Sequence, residues 1–299
     1  MQSDDPCLPD PSVVRARFER AAASFNEAAV LHDRVREQLL ERLDVVDLAP
    51  SVVLDVGAGT GRAIPVLKRR FPKAKLFAID HSAAMLERLP RTRLGFRQRR
   101  VTTVCADARK LPFADGSADV VFSNLCLPWC PDPDTAIAEF RRVLKPRGLL
   151  LFSALGPDTL RELRDAWASV DDGAHVHRFY DMHDLGDALV RAGLGEPVMD
   201  VERFTLTYPD PEAAMKELAA LGARNSARGR SRGLTGRRAF ARFIAELDRQ
   251  RDGGRLALTC EVVFGTAWAQ AAPGRRDRAA PGGEIRVAVD AISNRKKNT

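Results

Sequence analysis

The sequence has few of the features that mark membrane and secreted proteins. Its 299 residues contain no apolar run of 18, so we expect no membrane-spanning helix. The first ten residues are acidic and include two prolines, unlike the basic and then apolar pattern of a signal peptide. The five cysteines are odd in number and scattered, which favours reduced thiols. These absences predict a cytoplasmic protein that does not bind membranes.

Patterns typical of metal sites are also missing. Cys126 and Cys130 are four residues apart, but no second cysteine pair completes a zinc site, so we interpret both as packing residues. His175, His177 and His183 are close in sequence, yet no catalytic glutamate motif accompanies them. We therefore expect no metal, and interpret the histidines as solvated or helix-capping residues.

The most informative segment that is present is a buried strand followed by a glycine-rich turn. Residues 52–56 form an apolar run, interrupted by Asp55, that suits a parallel strand, and Gly57, Gly59 and Gly61 follow at alternating positions. Glycines let the backbone turn sharply and approach a ligand. The spacing differs from the G-x-G-x-x-G of dinucleotide enzymes. The charge of Asp55 would repel a phosphate and suits a cationic ligand, although a purely structural turn remains the alternative.

Further acidic residues end the next predicted strands. The strand at 75–80 ends in Asp80, 19 residues after Gly61, where a carboxylate can accept hydrogen bonds from a ribose diol. A third strand at 101–108 contains Asp107, a fourth spans 117–125, and residues 140–152 predict a helix, a turn and a fifth strand.

This ordered set resembles the class I S-adenosylmethionine-dependent methyltransferases. The resemblance implies a Rossmann-like α/β fold with a seven-stranded sheet, and S-adenosyl-L-methionine as cofactor. The cofactor-binding residues that it implies are Asp55, Gly57, Ala58, Gly59, Gly61, Asp80, His81, Asp107, Ala108, Asn124 and Leu125.

Hydrophobic periodicity and composition divide the chain into four parts. Residues 1–45 predict helices that cap the cofactor cleft, residues 46–207 the cofactor-binding core, residues 208–255 a helical insertion above the active site, and residues 256–299 a final strand and a loose tail. Strands at 198–208 and 256–264 are expected to form an antiparallel pair.

The insertion contains a strongly basic stretch. Residues 218–245 include seven arginines and no acidic residue. A solvated loop without a partner is one interpretation, and nucleic-acid binding is another, although the loop has no aromatic stacking residues. The third is an acidic protein or an anionic acyl group, which arginine holds well. The densest part of the stretch comprises Arg228, Arg230, Arg232, Arg237 and Arg238.

Several longer blocks resemble one family, the malonyl-acyl-carrier-protein O-methyltransferases of biotin synthesis. The most specific are Gly-Pro-Asp-Thr-Leu at 156–160 and Phe-Tyr-Asp-Met-His-Asp at 179–184. The resemblance implies methylation of the free carboxylate of malonyl-acyl carrier protein, with malonyl-coenzyme A as another acceptor. The chain departs from the family in having Phe25 where a tyrosine is usual and Pro128 where glutamine is frequent.

A malonyl carboxylate is already ionised at neutral pH, so no catalytic general base is expected. The candidate substrate-binding residues are Arg178, Arg232, Trp129 and Phe25. Nucleic acid is a less favoured partner. An RNA or small-molecule methyltransferase, and a cofactor-binding assembly factor without methyl transfer, are the alternative functions.

Overall fold

The apolar segments form one seven-stranded sheet in the computed structural model, which describes residues 5–90 and 101–270. The spatial order is β3-β2-β1-β4-β5-β7-β6; the first five strands are parallel, and β7 runs antiparallel to both of its neighbours. This arrangement confirms the predicted Rossmann-like fold and the antiparallel final pair. The strands are β1 Val52–Val56, β2 Lys75–Asp80, β3 Thr102–Cys105, β4 Ala118–Asn124, β5 Leu144–Leu155, β6 Leu194–Tyr208 and β7 Leu256–Ala269.

Helices cover both faces of this sheet. Asp-Pro pairs begin three of them: Asp10, Asp132 and Asp210 each accept backbone N–H bonds, and the following proline has a backbone suited to the first turn. The helices are α1 Pro11–Ala21, α2 Phe25–Ala28, α3 Val30–Glu41, α4 Ile64–Arg70, α5 Ala83–Leu86, α6 Pro133–Val143, α7 Arg161–Ala168, α8 Met182–Arg191, α9 Pro211–Ala220 and α10 Arg237–Arg249.

The core lies on both sides of the central strands. Phe140 and Phe152 are fully buried in one cluster, and Phe122 and Phe264 in another. Burial on both faces explains why β1, β4 and β5 appear in the sequence as nearly continuous apolar runs. No helix within the described ranges is long and apolar enough to cross a membrane.

Some element boundaries differ from the prediction. The helices predicted within residues 1–45 are α1, α2 and α3, and β6 and β7 are longer than the predicted strands at 198–208 and 256–264. Helix α7 begins at Arg161, because Glu261 of β7 binds the backbone N–H of Asp158 and the hydroxyl of Thr159, and Leu160 has φ of 57°. The loose tail that was predicted after the final strand falls on residues 271–299, outside the described residues.

Candidate functional site

A pocket of about 760 Å³, partly open to solvent, lies at the carboxyl ends of the central strands, beneath α1, α2 and α3. This edge is where open α/β sheets bind ligands. Eight of the eleven predicted cofactor-binding residues line it: Gly57, Gly59, Asp80, His81, Asp107, Ala108, Asn124 and Leu125. Of the predicted substrate-binding residues, Phe25 and Trp129 line it, whereas Arg178 and Arg232 do not.

The glycine turn forms the floor of this pocket. Gly57, Gly59 and Gly61 all have positive φ, which favours glycine. A Cβ on Gly57 would lie 2.5 Å from the Cβ of Cys126, and one on Gly61 would lie 2.4 Å from Leu89, so both glycines are required by packing. At Gly59 nothing lies within 4 Å of that position, which leaves this backbone open to a ligand.

Two carboxyl groups lie beside the turn, Asp55 buried and Asp80 partly exposed to the pocket. Asp80 accepts hydrogen bonds from the backbone N–H groups of Gly59 and Ser82, each at 2.9 Å. Asp55 is 2% exposed, and its Oδ2 has no hydrogen-bond partner among the described residues. Burial, with a contribution from the charge of Asp80, raises the pKa of Asp55 to about 8. A ligand with a positive charge or N–H donors would satisfy this carboxyl group.

Asp107 follows β3 at the side of the pocket. Arg109 binds it through two nitrogen atoms, at 3.0 Å from Nε to Oδ1 and 2.6 Å from Nη2 to Oδ2. Burial alone would raise the pKa of Asp107, but the hydrogen bonds from Arg109 lower it. Asp107 is therefore an ionised hydrogen-bond acceptor in a fixed position. Arg109 also lines the pocket and was not predicted from the sequence.

The end of β4 is held in an unusual backbone conformation. Leu125 has φ of 53°, and its N–H donates to the hydroxyl of Ser153 at 2.9 Å. The same hydroxyl donates to the side-chain oxygen of Asn124, whose amide nitrogen donates to the carbonyl of His32. A non-glycine residue in this conformation at a pocket is typical of a ligand-binding turn.

An aromatic row from the N-terminal helices and the turn after β4 covers the pocket. Phe18 contacts Trp129 edge to face at 5.0 Å between ring centroids, and Phe25 contacts His32 at 5.1 Å. Trp129 also contacts His177 at 5.4 Å. Phe18 and His32 were not predicted, because helical spacing shows that a residue is buried but not which strand end it faces.

Three of the residues predicted to bind the cofactor are not among those that line the pocket. They are Asp55, Ala58 and Gly61; Ala58 donates its N–H to the carbonyl of Ile79, and Gly61 packs on Leu89. All three belong to β1 or to the glycine turn that follows it, next to the lining residues Gly57 and Gly59.

The two predicted substrate-binding arginines are on the surface. The side chain of Arg178 is 50% exposed and pairs with Asp5 at 3.3 Å, while its backbone N–H donates to Cys7. Arg232 is exposed. The basic stretch is also not free of acidic partners as its sequence suggested, because Asp10 from the N-terminal segment pairs with Arg230 at 3.6 Å.

The histidines and cysteines that could have suggested a metal site make other contacts. His175 stacks on Trp167 and lies 2.7 Å from Asp171, and His177 accepts a hydrogen bond from the backbone of Ser226. Cys126 and Cys130 line the pocket rather than only packing the core. Across residues 5–90 and 101–270, no group of three or more potential ligands is placed to hold a metal ion.

Known proteins are similar to this chain in sequence and in fold. Residues 54–152 match the family described as a methyltransferase domain. A malonyl-[acyl-carrier protein] O-methyltransferase of Laribacter hongkongensis is 50% identical over 273 residues, covering 89% of this chain and 92% of that protein. The chain belongs to this family of O-methyltransferases. The relative of the same name from Halorhodospira halophila is 46% identical and covers 96% of this chain and 97% of its own length. The resemblance proposed from sequence is thereby confirmed.

Solved structures agree on the fold. A Bacillus halodurans protein described as a putative methyltransferase has a TM-score of 0.56 at 17% identity, covering 79% of this chain and all of that one. A Haemonchus contortus phosphoethanolamine N-methyltransferase in complex with S-adenosyl-L-methionine has a TM-score of 0.54 at 17% identity, covering 85% of this chain and 57% of that one.

The enzyme is an S-adenosylmethionine-dependent methyltransferase. Its own residues fit this cofactor, because the pocket offers open backbone at Gly59 and acceptors on Asp80 and Asp107, and the nearby Oδ2 of Asp55 has no hydrogen-bond partner in the part of the chain that the structure describes. The prediction of S-adenosyl-L-methionine as cofactor is confirmed.

Proposed function

We propose that this enzyme transfers a methyl group to the free carboxylate of a malonyl thioester on acyl carrier protein, giving the methyl ester that starts pimeloyl synthesis for biotin. The observation that carries the proposal is the family identity, which extends over 96% of this chain in one relative and therefore includes nearly all of the N-terminal helices and the insertion. Those are the parts that cover and surround the pocket, so the likeness is not confined to the general methyltransferase core.

The chemistry demands alignment more than acid–base catalysis. The bound cofactor supplies an electrophilic methyl group; the carboxylate oxygen provides the electron pair for the new O–C bond, and the S–C pair stays on sulfur. A carboxylate is ionised at neutral pH, so no proton needs to be removed. The residues of the chain must exclude water and fix the acceptor in line.

The aromatic row suits that task. Phe18, Phe25 and Trp129 present apolar rings to the pocket, which exclude water, and aromatic faces also attract a positively charged centre. Phe25, where tyrosine is usual in the family, is 8% exposed and needs no hydrogen-bond partner. We propose that the turn of Asn124 and Leu125 orients the amino-acid part of the cofactor.

We propose that the exposed arginines act on the approach of the acceptor. Arg178 at the family-specific block and Arg232 in the basic stretch lie outside the pocket lining. Arg178 is paired with Asp5, whereas the positive charge of the exposed Arg232 is available to a macromolecule at the surface. Acyl carrier proteins are acidic, and a positive surface raises the rate at which an acidic partner associates.

The test is to incubate the purified enzyme with labelled cofactor and a series of acyl carriers, and to weigh the products by mass spectrometry. Malonyl-acyl carrier protein should gain one methyl group, whereas acetyl-acyl carrier protein, which lacks a free carboxylate, should gain none. Methylation of transfer RNA without methylation of any malonyl thioester would overturn the proposal and favour the nucleic-acid alternative.

A further inference from the structure

His32 is a polar residue on the apolar face of α3. Val35 and Leu39 follow it at helical spacing, and both are fully buried in the core cluster that covers one side of the sheet. The side-chain amide of Asn124, the last residue of β4, donates to the carbonyl of His32 at 3.2 Å. This bond places the start of α3 at the carboxyl ends of the strands, where His32 lines the pocket.

The imidazole of His32 has no hydrogen-bond partner in the part of the chain that the structure describes. Nδ1 is enclosed without a partner, whereas Nε2 is accessible and likewise makes no hydrogen bond to a described residue. The ring packs edge to face on Phe25, which also lines the pocket. Buried polar groups with a structural role are normally hydrogen-bonded, as His177 is by the backbone of Ser226. The missing partner of His32 therefore indicates a ligand.

The surroundings of His32 determine what this ligand group must be. Burial, opposed only in part by the charge of Asp33, lowers the pKa of His32 to about 4, so the ring is neutral at pH 7. A neutral imidazole has one N–H donor and one acceptor nitrogen. Orphaned buried N–H groups are rarer than orphaned buried acceptors, which favours the proton on the accessible Nε2. His32 thus offers the pocket a donor, beside the turn of Asn124 and Leu125.

We propose that the Nε2–H group of His32 donates a hydrogen bond to a carboxylate oxygen of a ligand in the pocket. A hydrogen bond to a charged acceptor is stronger than one between neutral groups, and the apolar ring of Phe25 lowers the local dielectric around it. This carboxylate has two sources: the amino-acid part of the cofactor, and the acyl acceptor. Only the second source rests on the proposed function, and the experiment separates the two.

The variants are His32→Leu, which removes both ring nitrogens, and His32→Gln, whose side-chain N–H reaches close to the position of Nε2. Arg34→Leu is the matched control, because Arg34 lies on the same helix with its side chain 61% exposed. We expect His32→Leu to weaken the ligand that supplies the carboxylate roughly 10- to 100-fold, as for a lost hydrogen bond to a charged group. His32→Gln should recover much of this loss, and Arg34→Leu should behave as the wild type.

Calorimetry with two forms of the demethylated cofactor tests the first source. S-adenosylhomocysteine carries the carboxylate, whereas decarboxylated S-adenosylhomocysteine is the same molecule without it. If His32 binds this carboxylate, His32→Leu weakens the binding of S-adenosylhomocysteine but leaves the affinity for the decarboxylated form unchanged. Equal weakening of both ligands would show that leucine disturbs the shape of the pocket rather than a carboxylate contact, and would overturn the proposal.

Steady-state kinetics with the malonyl thioester of N-acetylcysteamine tests the second source. If His32 binds the carboxylate of the acceptor, His32→Leu raises KM for this thioester by the same factor while both calorimetric affinities stay those of the wild type. Unchanged calorimetric affinities together with unchanged kinetics would overturn the proposal and leave the proposed function standing. If the wild type methylates no malonyl thioester, the proposed function is wrong, and the calorimetric comparison alone decides whether His32 binds a carboxylate.

Discussion

At the scale of single residues, we expect the ionisation of Asp55 to make cofactor binding depend on pH. In the free enzyme its carboxyl is buried beside Asp80, and its pKa of about 8 keeps it mostly protonated at pH 7. A cofactor that carries positive charge favours the ionised form, so binding should lower this pKa and release a proton. The buried carboxyl is then ionised only when its counter-charge is present.

We predict that cofactor binding at pH 7 releases up to about one proton, in line with linkage of binding to the Asp55 ionisation. Calorimetric titrations in two buffers of different ionisation enthalpy measure this number. In Asp55→Asn, which copies the shape of the protonated acid, the buffer dependence should largely disappear. Wild-type affinity should rise with pH up to about 8. Equal buffer dependence in wild type and variant would show that the proton comes from another group.

The same carboxyl affects the stability of the free enzyme in a defined direction. Because its pKa is raised in the folded state, Asp55 keeps its proton to a higher pH in the native protein than in the unfolded chain. The contribution of Asp55 to the free energy of unfolding is therefore most favourable at low pH. It is complete below about pH 4 and is lost as pH rises through about 8. The Tm of Asp55→Asn should consequently depend less on pH over this window.

At the scale of elements, a short N-terminal strap, residues 5–10, ties the basic stretch to α1. Backbone hydrogen bonds join Asp10 to Ser226, Leu8 to Arg228 and Pro6 to Gly229, at 2.8 to 2.9 Å. Leu8 is 3% exposed and anchors the strap in the core. Because α1 carries Phe18 into the pocket, the strap links the insertion to the aromatic row.

We predict that Leu8→Ala loosens this link. Removing a buried leucine side chain costs about 2–5 kcal/mol where the site cannot collapse, and here we expect the loss to appear as local opening. Trypsin should cut first at the arginines of residues 228–232, and KM for the acyl substrate should rise while cofactor affinity changes little. Val45→Ala, at an 88% exposed position, is the control. Cleavage that begins elsewhere in the chain would contradict this role for the strap.

The sequence predicted the elements better than their mutual contacts. Strands β1, β2 and β4 and the turn at Gly57 could be predicted because apolar runs and glycines are local patterns. Contacts such as Asp10 with Arg230, or Phe18 with Trp129, join segments far apart in the chain, and no local pattern encodes them. The acids at strand ends were predictable because the order of parallel strands brings these ends together. The packing of the N-terminal helices, which places Phe18 and His32 in the pocket lining, has no such rule.

At the scale of the whole molecule, positive charge is concentrated where a carrier protein could dock. The formal net charge is +7, and the exposed part of the basic stretch includes Arg232, Arg237 and Arg238. Between them Leu234 is fully exposed, and Phe240 follows at 44% exposure. Basic residues around an exposed apolar group suit an acidic partner that also offers an apolar surface.

We predict that this surface docks malonyl-acyl carrier protein and guides its phosphopantetheine arm. Because Arg230 is already paired with Asp10, the informative reversals are Arg232→Glu and Arg238→Glu together. They should raise KM for the carrier protein but leave cofactor affinity and activity on malonyl-coenzyme A much less affected. The wild-type preference for the carrier should weaken with salt, since the Debye length is about 8 Å at physiological ionic strength.

The control is the pair Arg69→Glu and Lys73→Glu, which changes the net charge equally at exposed positions elsewhere. A parallel loss on both acceptors would mean that the arginines act on the substrate or the fold, and an equal effect of the control pair would mean that net charge, rather than this surface, attracts the carrier.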